Sequence, residues 1–370
     1  MTENYNAHPA QLKLAKLFTS VKLLGPPMSD KLVELVIHLF TPDEAEVALN
    51  LPLYYPKPLA KIVRKAGRSS DEIIPLLDAM SNHRVILNYN NRYSLLPIIP
   101  GMFGYLLMNS GDSKWHRKYA KLLIELFSTG YVKRYGSKQI SAIRNIPLQQ
   151  VIENKNRVVT ADLMSEMIDR HKELAVLKSC LCRQSLHLIG KDCKRATPED
   201  GCLIFGNISR FIVEDGSGHF VSKEEMHDIV TDRREKGLVF LTGNVSPSSP
   251  NAICTCCDCC CHALEAINHF DINVIAPPHF IVEVDESLCN NCGKCAKACN
   301  TNAHTYENKK HAYDVKKCLG CGLCINPCKP NAIKMVENPS YKPPSKNFPT
   351  LGIKLLPSTV MIGLKAKIRK

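Results

Sequence analysis

Cys289-Asn290-Asn291-Cys292-Gly293-Lys294-Cys295-Ala296-Lys297-Ala298-Cys299 is followed by Cys318-Leu319-Gly320-Cys321-Gly322-Leu323-Cys324-Ile325-Asn326-Pro327-Cys328. Each run spaces its thiols C-x2-C-x2-C-x3-C, and the second repeats the first at an offset of 29 residues. Gly293 returns as Gly322, and Ala303 as Ala332. Three cysteines two residues apart wrap a tight loop around one centre, and a fourth three residues on points away to a second centre. Paired zinc knuckles would give no reason for that outlying fourth thiol.

The two runs resemble the bacterial-type two-[4Fe-4S] ferredoxin domain, over about Asp285 to Val336. The resemblance implies two [4Fe-4S] clusters with crossed fourth ligands. The first takes Cys289, Cys292, Cys295 and Cys328; the second takes Cys318, Cys321, Cys324 and Cys299. Such domains usually place proline directly after each fourth cysteine. Here Asn300 and Lys329 stand there, with Pro330 one place late. Eight lysines face five acids between Asp285 and Glu337. Positive charge near a cluster stabilises its reduced state, so a raised potential and an acidic docking partner are expected. A merely solvated lysine surface is the competing reading. Tyr306 and Tyr313 cover the clusters or simply fill core.

Outward from these runs, the 370 residues carry 18 cysteines, none before Cys180. No stretch approaches 18 apolar residues, so no membrane-spanning helix is expected. The start, Met1-Thr2-Glu3-Asn4-Tyr5-Asn6, holds no apolar signal core, which predicts a cytoplasmic protein. In such a chain, dense cysteines point to metal or cluster ligation over disulfides.

Ten cysteines lie upstream of the ferredoxin-like runs: Cys180, Cys182, Cys193 and Cys202, then Cys254, Cys256, Cys257, Cys259, Cys260 and Cys261. Six thiols in eight residues would oxidise readily if free, so a soft metal centre is expected. Additional Fe-S is the leading reading; zinc and redox-active thiols stay open. In an extended stretch Cys254 and Cys256 face one side while Cys257, Cys259 and Cys261 face the other. Cys182, Cys193 and Cys202 are the expected donors from the first set. Ten thiols suffice for two further cubanes with two spare, or for one unusual centre. Arg183 and Lys191 neutralise cluster charge or are plain surface charges. CxCR and CxCCxCCC arrangements upstream of a ferredoxin module are similar to those in cluster-rich proteins of anaerobic microbes, a likeness covering about Gln139 to Glu337.

The intervening elements read as mixed α/β. Thr160 can cap a helix from Ala161 to about Leu177. Ser222-Lys223-Glu224-Glu225 is a capping box whose helix runs to about Lys236 and stops at Gly237. Leu238 to Leu241 reads as a strand, and Ser246 to Pro250 as a loop.

The cysteine-free half predicts helices over Ser29–Leu39, Thr41–Leu49, Leu59–Lys65 and Ser70–Asn82. Strands then follow over Arg84–Tyr89 and Arg92–Leu96 about an Asn90-Asn91 turn. This order resembles the winged helix-turn-helix family over about Asp30 to Leu96. The recognition-helix candidate, Ser70 to Asn82, carries Asp71, Glu72 and Asp78 and no Lys or Arg, which argues against DNA as a partner. Lys57, Lys61, Arg64, Lys65 and Arg68 precede it. Residues 338–370 hold seven cations and no acid, five prolines, and an amphipathic stretch at Val360–Lys365. That tail predicts an extended arm suited to an acidic subunit or an anionic membrane surface.

The fold class expected is α+β multidomain. A winged-helix-like domain spans 1–110, a cysteine-rich mixed α/β domain 111–280, a dicluster ferredoxin-like domain 281–337 and a basic Pro-rich tail 338–370. The function expected is an iron-sulfur electron-transfer protein or subunit serving a partner oxidoreductase, more a component than a stand-alone enzyme. The alternatives are a redox-sensing transcription regulator and a reductase with an unusual centre at Cys254–Cys261. No GxGxxG or P-loop occurs, so flavin or nucleotide chemistry has no support.

Overall fold

Side-chain caps begin several helices of the amino-terminal unit, where a polar residue precedes apolar periodicity. The computed structural model describes residues 6–20, 22–23, 25–131, 143–147, 164–246 and 252–355. Their contacts divide the chain into two compact units. One comprises the described residues of Met1–Tyr131 with Leu188–Lys191; the other comprises those of Val132–His187 and Asp192–Ser358.

In the first unit, Ser29 caps Asp30–Leu39, its hydroxyl accepting from the Leu32 amide at 3.2 Å. Thr41 with Glu44, and Ser69 with Glu72, form reciprocal capping boxes on Pro42–Ala48 and Ser70–Asn82. Gly67 ends Leu59–Ala66 in the left-handed region, at φ 66°. Strands β2 (Leu87–Tyr89) and β3 (Arg92–Ser94) meet at Asn90-Asn91, whose φ values of 51° and 55° suit a type I′ turn. Strand β1 (Lys57–Pro58) pairs with β3, giving the order β1-β3-β2. The strand expected from Arg84 begins only at Leu87, because Arg84 takes a left-handed φ of 57° just after the helix. Helices Pro9–Phe18, Phe103–Leu107 and Lys114–Leu126 were not anticipated.

The second unit is built on a six-stranded antiparallel sheet of order β4-β8-β9-β6-β5-β7. Its strands are β4 (Ile143–Ile146), β5 (Leu174–Leu177), β6 (Leu203–Phe205), β7 (Gly218–Phe220), β8 (Val239–Gly243) and β9 (Ala252–Cys256). The helix expected over Ala161–Leu177 is corrected. Met164–Arg170 is helical, but Leu174–Leu177 is strand. Four apolar residues in a row, all buried between two partner strands, make a central strand rather than a helix face. Its expected cap, Thr160, lies outside the described residues. The Ser222 capping box does open Lys223–Glu235, which ends before Gly237 at φ 69°.

Alternation along the sheet decides which residues meet. Phe240 and Ile253 join Met167, Ile168, Leu203 and Phe205 on one face. Val239, Leu241, Cys254 and Cys256 join Leu264 and Ile267 on the other.

The cysteine repeat is also a repeat of backbone conformation. Asn291 and Gly320, Gly293 and Gly322, and Asn302 and Asn331 are pairs 29 apart, and all six residues have positive φ. At Gly320 a side chain is excluded, since a Cβ would fall 1.9 Å from the Phe280 carbonyl oxygen. Strand β10 (Phe280–Val284) pairs antiparallel with β13 (Ile333–Glu337), and β11 (His304–Glu307) with β12 (Lys310–Tyr313). The β10–β13 pair brackets the two cysteine runs, and the β11–β12 hairpin separates them.

The tail begins as an ordered arm. Ser345 bridges Val245, and the Phe348 ring covers Gly243 at the end of β8. Residues 348–355 are helical, so this part is not merely extended. The amphipathic stretch at Val360–Lys365 lies outside the described residues. No helix among the described residues is long and apolar enough to cross a membrane.

Candidate metal and cluster centres

Antiparallel neighbours bring all ten upstream cysteines to one end of the six-stranded sheet. Strand β5 leaves the sheet toward Cys180 and Cys182, β6 enters just after Cys202, and β9 ends at Cys256. Because β5, β6 and β9 alternate in direction, these three ends coincide.

There the ten thiols separate into sets of six and four. In the first, Cys202 Sγ lies 3.6 Å from Cys254 Sγ. Cys256 touches Cys254 and Cys261, and Cys182 touches Cys261. Cys180 faces Cys254, Cys261 and Cys202. Neighbouring thiols pull the members apart in acidity. Cys202 and Cys256 hold Cys254 well below the usual thiol range, and Cys182 and Cys256 do the same for Cys261.

In the second set, Cys193 Sγ lies 3.4 Å from both Cys257 Sγ and Cys259 Sγ, and Cys259 Sγ lies 3.6 Å from Cys260 Sγ. All four sulfurs fall within 4.8 Å of one another.

This division corrects one expectation. Cys261 does not face outward with Cys257 and Cys259. The strand ends at Cys256, the chain turns through Asp258–Cys260, and Cys261 becomes the N-cap of helix His262–Phe270, folding back onto Cys182 and Cys256. Of the three donors expected from the first set, Cys182 and Cys202 join the six-thiol set, while Cys193 crosses to the turn.

Arg183 lies between the two sets and is 1% exposed. It donates to the carbonyls of Asp200, at 2.9 Å, and of Thr255. Burial disfavours its charge, but Cys180, Cys257 and Cys193 outweigh that cost and raise its pKa. Its buried Nε has no protein partner among the described residues. A guanidinium in this position fits anionic thiolate centres on both sides. Arg233 and Lys236 pair with the buried Asp200 nearby, and burial beside Arg183 lowers the Arg233 pKa to about 10. Lys191 is exposed.

The eight ferredoxin-like thiols also gather in two groups. Cys289, Cys292, Cys295 and Cys328 line one cavity, with Pro330 and Ile333 in its wall. Cys324 faces Cys321, Cys318 and Cys299. Burial pushes the Cys321 thiol up to about 12, so ligation there must release a proton. Tyr313 packs in this core beside Cys318 and stacks on His304, while the Tyr306 ring lies against Gly293.

Asn300, where a proline is usual, ties the two cysteine regions together. Its Oδ1 accepts from the Asp258 amide at 3.0 Å, and its Nδ2 donates to the Gly237 carbonyl at 3.0 Å. Its own carbonyl accepts from Asn268 Nδ2 at 2.9 Å. Proline offers no side-chain amide for any of this. The sequence alone shows the substitution but not its partners, which lie 42 and 63 positions away.

One apolar cluster joins Leu319, Cys321 and Leu323 of the second cysteine run to Cys254, Cys256 and Cys261. Residues 281–329 match the family model described as 4Fe-4S dicluster domain. No curated protein and no solved structure matches the chain. The carboxy-terminal part therefore carries an iron-sulfur, ferredoxin-like domain, joined to further groups of cysteines suited to metal binding.

Proposed function

We propose that the chain is an iron-sulfur electron-transfer protein that passes electrons between a partner and a further Fe-S centre in its own middle region. The observation that carries this reading is the shared apolar cluster of Cys321, Leu319 and Leu323 with Cys254, Cys256 and Cys261. It puts a candidate ligand of the inner ferredoxin-like cluster in the same packed core as the six-thiol set.

Cys289, Cys292, Cys295 and Cys328 hold the outer [4Fe-4S] cluster, and Cys299, Cys318, Cys321 and Cys324 the inner one. Cys180, Cys182, Cys202, Cys254, Cys256 and Cys261 hold the third centre. Bound clusters supply one-electron redox chemistry at each set. The protein's own part is to hold thiolates in place, exclude water and supply Arg183 as countercharge. Cys292 is exposed, so electrons enter or leave on that side. Lys294, Lys297, Lys309 and Lys310 are exposed in the same domain and suit an acidic redox partner. The amino-terminal unit, read as a winged-helix-like module, serves docking rather than DNA. Asp71, Glu72 and Asp78 are exposed on Ser70–Asn82, where a DNA phosphate would be repelled. Cysteines in this number, held as ligands rather than in disulfides, suit a reducing cytoplasm.

A second reading, a reductase, draws on the count of thiols in the third set. Six are two more than one cubane takes, which leaves ligands free to exchange with a substrate.

Rapid reduction separates the proposal from an isolated ferredoxin-like domain. With a limiting one-electron donor, wild-type protein should reduce the third centre, while Cys321→Ser should leave it oxidised for longer. Equal rates in the two proteins would contradict the route.

A further inference from the structure

Four thiolates around one metal ion and four around a cubane differ in size. A tetrahedral ion with metal–sulfur bonds of about 2.3 Å sets neighbouring sulfurs roughly 3.8 Å apart. A cubane places four irons between its thiolates, so the sulfurs stand roughly 6 Å apart. Cys193, Cys257, Cys259 and Cys260 have contacts of 3.4 to 3.6 Å and none beyond 4.8 Å. Among the described residues this is the one all-thiol group so compact.

We propose that these four cysteines bind a single zinc ion in a closed tetrahedral site, rather than an additional iron-sulfur cluster. Four soft donors complete the coordination and leave no position open for substrate or water, as in a structural centre.

The surroundings are built for a doubly anionic tetrathiolate. The backbone amide of Arg195 donates to Cys193 Sγ at 3.5 Å. Its guanidinium grips Asp258 through two hydrogen bonds of 2.7 and 3.3 Å, closing the Cys193 loop onto the Cys257–Cys260 turn. Arg183 approaches Cys193 and Cys257 from the interior. Cys257 and Cys260 are buried, with Leu238 between sheet and turn. The ion thus locks the turn from which Cys254 and Cys256 reach one way and Asp258 meets Asn300 the other. Its task is to hold the redox set in shape without carrying electrons.

The test uses full-length protein purified anaerobically. Metal analysis should find about one zinc per chain alongside the iron. Zinc-edge X-ray absorption should show four sulfur neighbours at about 2.3 Å and no nitrogen or oxygen. Cys259→Ala should lose the zinc and keep the wild-type iron and acid-labile sulfide. Zinc-free wild-type protein, zinc bound through nitrogen or oxygen, or iron at this site would overturn the proposal. So would a Cys259→Ala variant that loses about four irons per chain. If that variant fails to fold, the absorption spectrum of the wild-type protein alone decides.

Discussion

Asn300 shows how a single residue couples the two cysteine regions, and Arg183 how one can sit between the two upstream thiol sets. Each buried amide contact of Asn300 replaces water with a partner, and losing it strands the Asp258 amide and the Gly237 carbonyl. Asn300→Pro, which restores the usual ferredoxin-like pattern, should therefore cost about 1–3 kcal/mol in denaturant unfolding. A neutral or stabilising effect would mean the linkage is incidental. Arg183→Leu removes the buried cation held between the thiol sets and should destabilise the second unit by about 3–5 kcal/mol, with loss of bound metal. Unchanged metal content would show that the buried charge answers to the Asp200 and Thr255 carbonyls alone. The sequence offered Arg183 and Lys191 alike as neutralisers of cluster charge or as plain surface charges; burial singles out Arg183 and leaves Lys191 exposed. Asn300 stood out only as a missing proline, because its partners are distant in sequence.

At the scale of elements, the capping boxes and the Asn90-Asn91 turn were legible because each is a local pattern whose chemistry is complete within four residues. The ferredoxin-like runs were legible for the same reason. The error over Leu174–Leu177 has the opposite cause: a buried strand carries no alternation, and only the pairing of β6 and β7 identifies it. Cys261 was misplaced because an extended segment was assumed where the chain turns into a helix.

The helix Lys114–Leu126 adds a prediction of its own. Trp115, the single tryptophan, stacks on His83 with ring centroids 4.7 Å apart and meets the tilted His38 ring at 4.8 Å. His38 Nε2 donates to the Trp115 carbonyl at 3.0 Å. Burial lowers the His38 pKa from 6.5, so the unfolded chain binds this proton more readily than the folded unit. Stability is then full above 6.5 and falls as pH drops through that value toward the depressed folded one. Melting followed by Trp115 fluorescence should shift to lower temperature between pH 7 and pH 5, and His38→Asn should flatten the dependence. A melting point independent of pH in the wild-type protein would contradict this.

On the scale of the molecule, the 18 thiols gather into four groups rather than a scattered reserve. Two are the paired ferredoxin-like sets, one is the six-thiol basin, and one is the compact tetrad. Composition already pointed to metal in quantity, but the partition of ten upstream thiols into six and four depends on where three antiparallel strands end. The lysine surface and the acidic helix Ser70–Asn82 both concern partners. Gel-shift titration at low salt should show no retained DNA, and retention whose affinity falls steeply with salt would reopen the regulator reading.

Iron and acid-labile sulfide per chain, measured on anaerobically purified protein together with EPR of the reduced form, test the central claim most directly. The account predicts about twelve irons with matching sulfide, about four for each ferredoxin-like set and four more for the six-thiol set, and reversible signals from mutually interacting reduced clusters. About eight irons or fewer, which the ferredoxin-like pair alone would account for, or iron that a low-potential donor cannot reduce and reoxidise, would contradict it.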